Sequence, residues 1–466
     1  MPKVILKKAP LLKDQNIDLH IDSMAYDNSA LARYEDFVVF VDRGAPGDDL
    51  SCQITTLRPD YARAKILEIK RSDQDYRIEP KCKLFKVCGG CQWQHLPYEK
   101  QLEQKDLLVE RFVAKLNLEK DVLKKIIGAD DIWNYRNKVQ FPVRTVQDTG
   151  RLKAGYFEWH SNELVNVKSC PIQVSLFDDI VQAVRELAQE YKITAYDAKS
   201  KKGWLRHICV RYGTNTGETL LTLVTRDEKL SGSQDFANKL MKQFPALVGV
   251  CLNINTGTTN VIYGPVTKVI KGRGYIFEEI NGLRFKISAT SFFQVNTKET
   301  QRLLTTIKNY ADLSKNEIVL DAYCGGGLIS LALAGNVKKV IGIEEAEESV
   351  HDAIFSAKEN NIKNVLFTYG KVENKIEGIL ENEKPDVVVL DPPRIGCNKK
   401  VLQSILCRDA PSGRLVKKII YVSCNPNTLV RDLEILCVGG FKIKLIQPVD
   451  MFPHTYHIES VVLLER

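Results

Sequence analysis

The sequence predicts an α/β protein with a C-terminal doubly wound, Rossmann-like domain, an N-terminal small β-barrel, and a mixed, strand-rich centre between them. Three observations carry that expectation. From about residue 286, apolar strands alternate with helical runs, the pattern of a parallel sheet covered on both faces. A glycine turn, Asp321-Ala-Tyr-Cys-Gly-Gly-Gly327, joins the first of those strands to its helix. Residues 1–73, by contrast, show short strands separated by turns, the spacing of a small antiparallel barrel.

At 466 residues the chain exceeds one ordinary domain, and 44% hydrophobic against 27% charged residues lets each part bury its own core. The basic opening MPKVILKKAP leads into no apolar run or small-residue cleavage site, so no secretory leader is expected. No stretch approaches the roughly 18 to 20 apolar residues of a membrane span, which makes the cytoplasm the expected location. The net charge of +8 suits an anionic partner, but a lysine-rich solvated surface would look the same. Twelve cysteines in such a chain point to metal ligands, catalysis or small core residues rather than disulfides.

In chain order, strands are expected at 18–23, 37–41, 51–56 and 62–69, with a Gly44-Ala-Pro-Gly-Asp48 turn between two of them. Residues 74–92 form a cysteine-bearing loop, and 97–127 carry apolar positions at helical spacing with few breakers. Strand-like runs dominate from about 128 to 285, including 220–225 and 248–253. Beyond 286, strands are expected at 317–323, 339–345, 386–393, 418–426 and 458–466, with helical runs after the glycine turn, at 346–361 and at 428–437. A ligand site in such a sheet belongs at the carboxyl ends of the strands. Each motif of this half falls at such an end except the acid of the last strand, which opens it.

In the glycine turn the backbone can approach a ligand closely, and the helix that follows offers free N–H groups. A dinucleotide fingerprint would need glycine where Ser330 stands, and the leading Asp321 opposes a pyrophosphate. Glu344 ends the next strand, where a carboxylate can accept from ribose hydroxyls. This combination suits a nucleoside carrying positive charge, such as S-adenosylmethionine.

Val422-Ser-Cys424-Asn-Pro426 sets a thiol at a strand end just before a helix, whose N-terminus favours the thiolate. Glu459 opens the apolar last strand. Together the two suit methylation at carbon 5 of uracil. That carbon is a poor nucleophile until a thiolate adds at carbon 6, and a base must later remove the carbon 5 proton. Asp391-Pro-Pro-Arg394 resembles the acid-Pro-Pro turn of amino-group methyltransferases, but Arg394 replaces the stacking aromatic. Its carboxylate suits the uracil edge or the cofactor, and the turn disfavours N-methylation.

Cys82, Cys88 and Cys91 form a tight loop of thiols, with Cys170-Pro as the fourth. Four thiolates serve an iron–sulfur cluster or structural zinc. One short C-x-x-C hairpin instead of two, and the Cys-Pro ending, lean towards iron–sulfur. A cluster closed by four cysteines belongs to structure or RNA contact rather than to methyl chemistry.

Over nearly its whole length the chain resembles the RNA uracil-5 methyltransferase family, above all bacterial members with a TRAM barrel and a [4Fe-4S] cluster that modify 23S rRNA. The resemblance implies Cys82, Cys88, Cys91 and Cys170 as cluster ligands, Cys424 (S-C-N-P) as nucleophile and Glu459 (H-x-x-H-I-E) as proton-abstracting base. It implies Gln294 (F-F-Q-V-N), Tyr323 (D-x-Y-C-G), Glu344 and Asp391 as S-adenosylmethionine contacts. Phe292 and Phe293 could offer a stacking face, with core packing the first expectation. The barrel lacks the family's paired glycines in its first hairpin, and Leu328 stands where a small or β-branched residue is expected.

Family members acting on tRNA generally lack both barrel and cluster, so the first 92 residues favour 23S rRNA as the partner of a monomeric enzyme. The alternatives are the same chemistry on tRNA, or an RNA-binding assembly factor with a vestigial enzyme domain. The presence of both Cys424 and Glu459 speaks against the latter.

Overall fold

The computed structural model of the chain describes residues 9–27, 29–119, 121–407 and 416–466. Most of the basic opening stretch, on which the expectation of no leader rests, lies outside the described residues. Strands β1 (Asn16–Met24), β2 (Ser29–Tyr34), β3 (Phe37–Asp42), β4 (Asp49–Leu57) and β5 (Tyr61–Arg71) close into a barrel in the order β1-β2-β3-β5-β4. Ile17, Leu19 and Ile21 point inward between exposed Asp18, His20 and Asp22, so alternation alone separates core from solvent. The sequence did not announce β2. Its inward Ala30 and Ala32 are fully buried but carry little apolar signal.

Helix α1 (Tyr98–Val113) is shorter than the 97–127 expected. A 3-10 turn follows, and Asn117 takes a left-handed backbone (φ 49°) that ends the helix. The remaining apolar residues serve another purpose. Lys124 and Ile127 donate backbone hydrogen bonds to Ile446 and Pro448, so this stretch runs as an extra edge along the C-terminal sheet.

The centre is a six-stranded sheet of β6 (Lys138–Thr145), β7 (Leu152–Ala154), β8 (Leu205–Tyr212), β9 (Thr219–Thr225), β10 (Leu247–Ile254) and β11 (Val266–Gly272). Two helices that the sequence reading did not anticipate, α2 (Leu176–Glu190) and α3 (Ser233–Gln243), cover it. Phe177, Ile180, Val181, Val184 and Ala188 line the buried face of α2, a helical spacing masked by its β-branched residues. A hairpin of β12 (Tyr275–Ile280) and β13 (Leu283–Ser288) then leads to α4 (Thr297–Ala311).

The C-terminal sheet contains β14 (Ile318–Ala322), β15 (Lys339–Glu344), β16 (Val365–Tyr369), β17 (Val387–Leu390), β18 (Lys418–Ser423), β19 (Lys442–Val449) and β20 (Glu459–Glu465). Their order is β16-β15-β14-β17-β18-β20-β19. Helices α5 (Leu328–Ala334), α6 (Glu347–Glu359), α7 (Val372–Glu383), α8 (Lys399–Leu406) and α9 (Pro426–Val438) alternate with the strands. Successive residues feed opposite cores. Leu320, Ile341, Val388 and Ile419 pack towards α7–α9 with α1 and the barrel, while Val319, Val340, Val387 and Ile420 pack towards α4 and α5. The sheet is not wholly parallel, because β20 runs antiparallel to both neighbours. The start of β20 therefore lies at the edge where β14, β15, β17 and β18 end. Among the described residues no helix is long and apolar enough to cross a membrane.

Candidate active site

A cavity of about 1150 Å³ opens at that edge, and its wall includes all six residues singled out as catalytic or cofactor-binding: Gln294, Tyr323, Glu344, Asp391, Cys424 and Glu459. The turn after β14 forms one side. Tyr323, Gly325 and Gly327 have φ of 70°, 53° and 81°. Glycine adopts such values without cost, whereas Tyr323 holds a sparsely populated conformation of the kind that gathers at binding sites. The carboxylate of Glu344 accepts from the N–H of Gly325 (3.0 Å) and of Ala346 (2.7 Å), so the acid ending β15 braces the turn from beneath.

Asp321 is fully buried and accepts from the Ser330 hydroxyl (2.6 Å), while its Oδ1 has no partner. Burial pushes its carboxyl up to about 7. Asp391 is also pushed up to about 7, by burial first and then by Asp321. A cavity with an orphaned acceptor and several acidic groups favours a cationic guest, which is what the sulfonium and ammonium groups of S-adenosylmethionine offer. The residues present fit that cofactor.

Gln294 lies on the loop between β13 and α4. Asn137, at the foot of the central sheet, donates to the Gln294 carbonyl (3.1 Å), and Asn296 caps α4 while donating to the Met451 carbonyl (3.2 Å). The expectation that Phe292 and Phe293 both pack in the core holds for one of them. Phe293 is 6% exposed, whereas Phe292 is 63% exposed on the cavity wall.

The opposite side brings three turns together. Cys424 follows β18, and Asn425 caps α9 by accepting from the Asn427 N–H (3.1 Å). The Asn425 side chain also donates to the Arg394 carbonyl (2.9 Å), as does the Thr428 hydroxyl (3.3 Å), which ties the Asp391–Arg394 turn to the nucleophile turn. The Arg394 guanidinium lies 3.4 Å from His457 Nε2. Glu459 is 3% exposed. Burial holds its carboxyl well above the usual range, Asp391 adds to that, and Arg394 opposes it. The thiol of Cys424 is pushed up to about 11 by burial and Glu459, with Arg394 pulling the other way. This departs from the thiolate expected at a helix N-terminus, because desolvation and a neighbouring acid outweigh the helix.

The sequence reading missed the support behind this wall. Lys105 of α1 and Asp450 form a fully buried ion pair (2.6 Å), Tyr98 donates to the same carboxylate (2.9 Å), and the Gln101 amide oxygen accepts from the His454 N–H (2.8 Å). Nothing in a helical pattern marks a lysine as the buried partner of an acid 345 positions away.

Away from the cavity, Cys91 packs with Phe85, Tyr135 and Ile172, and Cys82 and Cys170 border the same cluster. Burial and the neighbouring thiols push Cys91 upward, and burial pushes Cys170 up to about 12. Among the described residues no group of three or more His, Cys, Asp or Glu side chains is arranged to hold a metal ion.

The family described as tRNA (uracil-5-)-methyltransferase matches residues 97–466. An uncharacterized RNA methyltransferase of Bacillus cereus is 37% identical over 98% of both chains. One from Clostridium acetobutylicum is 38% identical over 100% of this chain and 99% of its own. Among solved structures, the Pyrococcus abyssi tRNA (uracil-54, C5)-methyltransferase in complex with S-adenosyl-L-homocysteine shares the fold, with a TM-score of 0.76 at 24% identity over 96% of this chain and 100% of that one. The chain belongs to the S-adenosylmethionine-dependent RNA uracil-5 methyltransferase family.

Proposed function

We propose that this enzyme methylates carbon 5 of a uridine in 23S rRNA, with Cys424 as nucleophile and Glu459 as base. The observation that carries the chemistry is the meeting of these two residues in one cavity with Asp391 and the glycine turn. When bound, S-adenosylmethionine supplies the electrophilic methyl group, and Gln294, Tyr323, Glu344 and Asp391 would hold it. The Cys424 thiolate adds at carbon 6 of the uracil and makes carbon 5 nucleophilic. Glu459 takes the carbon 5 proton after methylation, and the thiolate leaves. Arg394 favours the ionised forms of both groups. Phe292 offers the incoming base a stacking face.

The rRNA assignment draws on what precedes the family region. Residues 1–73 are read as a TRAM-like, RNA-binding barrel, 74–285 as a central domain, and 286–466 as the methyltransferase domain of a cytoplasmic monomer. The thiols of Cys82, Cys88, Cys91 and Cys170 are close enough to influence one another, while among the described residues no group of three or more ligating side chains is arranged to hold a metal ion. The reading of a [4Fe-4S] cluster rather than zinc rests on the sequence alone, on its single C-x-x-C hairpin and its Cys170-Pro ending. A second reading, the same chemistry on tRNA, is favoured by the likeness to the Pyrococcus abyssi tRNA enzyme, which covers 96% of this chain and so matches most of the N-terminal region that tRNA enzymes are expected to lack. Methyl transfer to unmodified 23S rRNA fragments and to unmodified tRNA, measured side by side with radiolabelled cofactor, separates the two. Labelling of tRNA alone would overturn the rRNA assignment.

A further inference from the structure

We propose that Tyr26, in the first turn of the N-terminal barrel, is a positioning residue for Cys424, so that the barrel completes the active site as well as meeting RNA. The proposal rests on Cys424 being the nucleophile. The Tyr26 hydroxyl donates to the carbonyl oxygen of Cys424 (3.2 Å) across 398 positions of sequence. Its ring stands edge-on to Tyr456 (centroids 5.1 Å apart, 87°) and to Phe112 of α1 (5.3 Å, 85°). Tyr456 lies three residues before Glu459. One side chain from the barrel therefore touches both segments that carry the reacting pair.

The geometry of the nucleophile turn gives this contact a purpose. Asn425 caps α9, so the carbonyl of Cys424 precedes the helix and lies outside its hydrogen-bond ladder. It is left to accept from elsewhere, and the Tyr26 hydroxyl donates to it. Fixing this peptide fixes the direction in which the Cys424 side chain leaves the backbone. The barrel turn is itself anchored, because the Met24 N–H donates to the Gln104 amide oxygen (2.9 Å) and Arg111 reaches the Met24 carbonyl (3.5 Å). Burial, with Tyr456 and Cys424 nearby, pushes the Tyr26 phenol up, so it stays a donor throughout the working pH range.

If the barrel were only an RNA tether, loss of the Tyr26 hydroxyl would alter RNA affinity or nothing. If Tyr26 positions the nucleophile, it alters the rate of carbon–sulfur bond formation. The test uses full-length Tyr26→Phe, which keeps the ring, and RNA carrying 5-fluorouridine, in which no proton can be removed from carbon 5 and the covalent adduct persists. The expected result is adduct formation slowed about 10-fold, with RNA and cofactor affinities within about twofold of wild type, since small misplacements of a reacting group cost this much or more. An unchanged adduct rate, or a loss confined to RNA affinity, overturns the proposal. Failure of the wild type to form any adduct would remove Cys424 as nucleophile, and the proposal with it. A second readout needs no RNA: peptide-resolved iodoacetamide labelling should change about threefold or more at Cys424 in Tyr26→Phe. The exposed Cys407 is the internal control and should label unchanged. Identical Cys424 labelling in the two proteins also overturns the proposal.

Discussion

Ser423 and Ser460 face each other across the antiparallel pair β18–β20, and this register sets Cys424 beside Glu459 at one edge of the sheet. A parallel last strand would have carried Glu459 to the opposite edge. The antiparallel insertion of β20 is thus what brings a candidate nucleophile and a candidate base, 35 positions apart in sequence, into one cavity. Each of the two should fail in its own way when substituted.

Cys424→Ala should abolish turnover, while cofactor binding, which depends on the other wall, stays within about twofold of wild type by calorimetry. Turnover at the normal rate in this variant would end the covalent mechanism.

Glu459→Gln should allow addition and one methyl transfer but not release. The expected readout is a denaturant-resistant protein–RNA band after incubation with cofactor and RNA. Loss of activity without such a band would give Glu459 a different role.

Both reacting groups work in their deprotonated forms, and burial raises the pKa of both, so the rate should climb with pH through and above neutrality. Arg394 opposes that rise in each. Arg394→Gln should therefore move the rising limb to higher pH and lower the rate at neutral pH by about 10-fold or more, because the ionised fraction falls about tenfold for each pH unit below the pKa. A limb that stays in place, measured as single-turnover rate against pH, would show that the guanidinium does not tune the pair.

The buried Lys105–Asp450 pair should be costly to break from one side. Lys105→Met is expected to lose roughly 3–5 kcal/mol in denaturant unfolding, because it strands a buried carboxylate. Lys105→Met combined with Asp450→Leu should recover part of that loss. A single variant as stable as wild type would mean that Asp450 finds full compensation from Tyr98.

Protein purified without oxygen should be brown and carry about four irons per chain through Cys82, Cys88, Cys91 and Cys170. Stoichiometric zinc in their place would replace the cluster assignment.

The sequence made some of this legible and hid the rest for physical reasons. Asp321, Glu344, Asp391 and Cys424 stood out because each interrupts or follows an apolar strand run near its carboxyl end, and all four line one cavity. The direction of β20 was not readable, since an apolar run looks the same whichever way it enters a sheet. The barrel was visible in the alternation of β1 but lost β2, whose alanines bury without an apolar signature. Helix α1 was overextended because the apolar spacing of 122–127 serves an extended edge rather than a helix. Tyr26 and Lys105 were invisible, as each acts only through a contact hundreds of positions away.

The most direct test of the central claim is mass mapping of ribosomal and transfer RNA from cells with and without this gene. The account predicts that 5-methyluridine disappears from 23S rRNA and persists in tRNA. Loss from tRNA alone would keep the chemistry and contradict the substrate, and no loss from either would contradict the claim that this chain is the working enzyme.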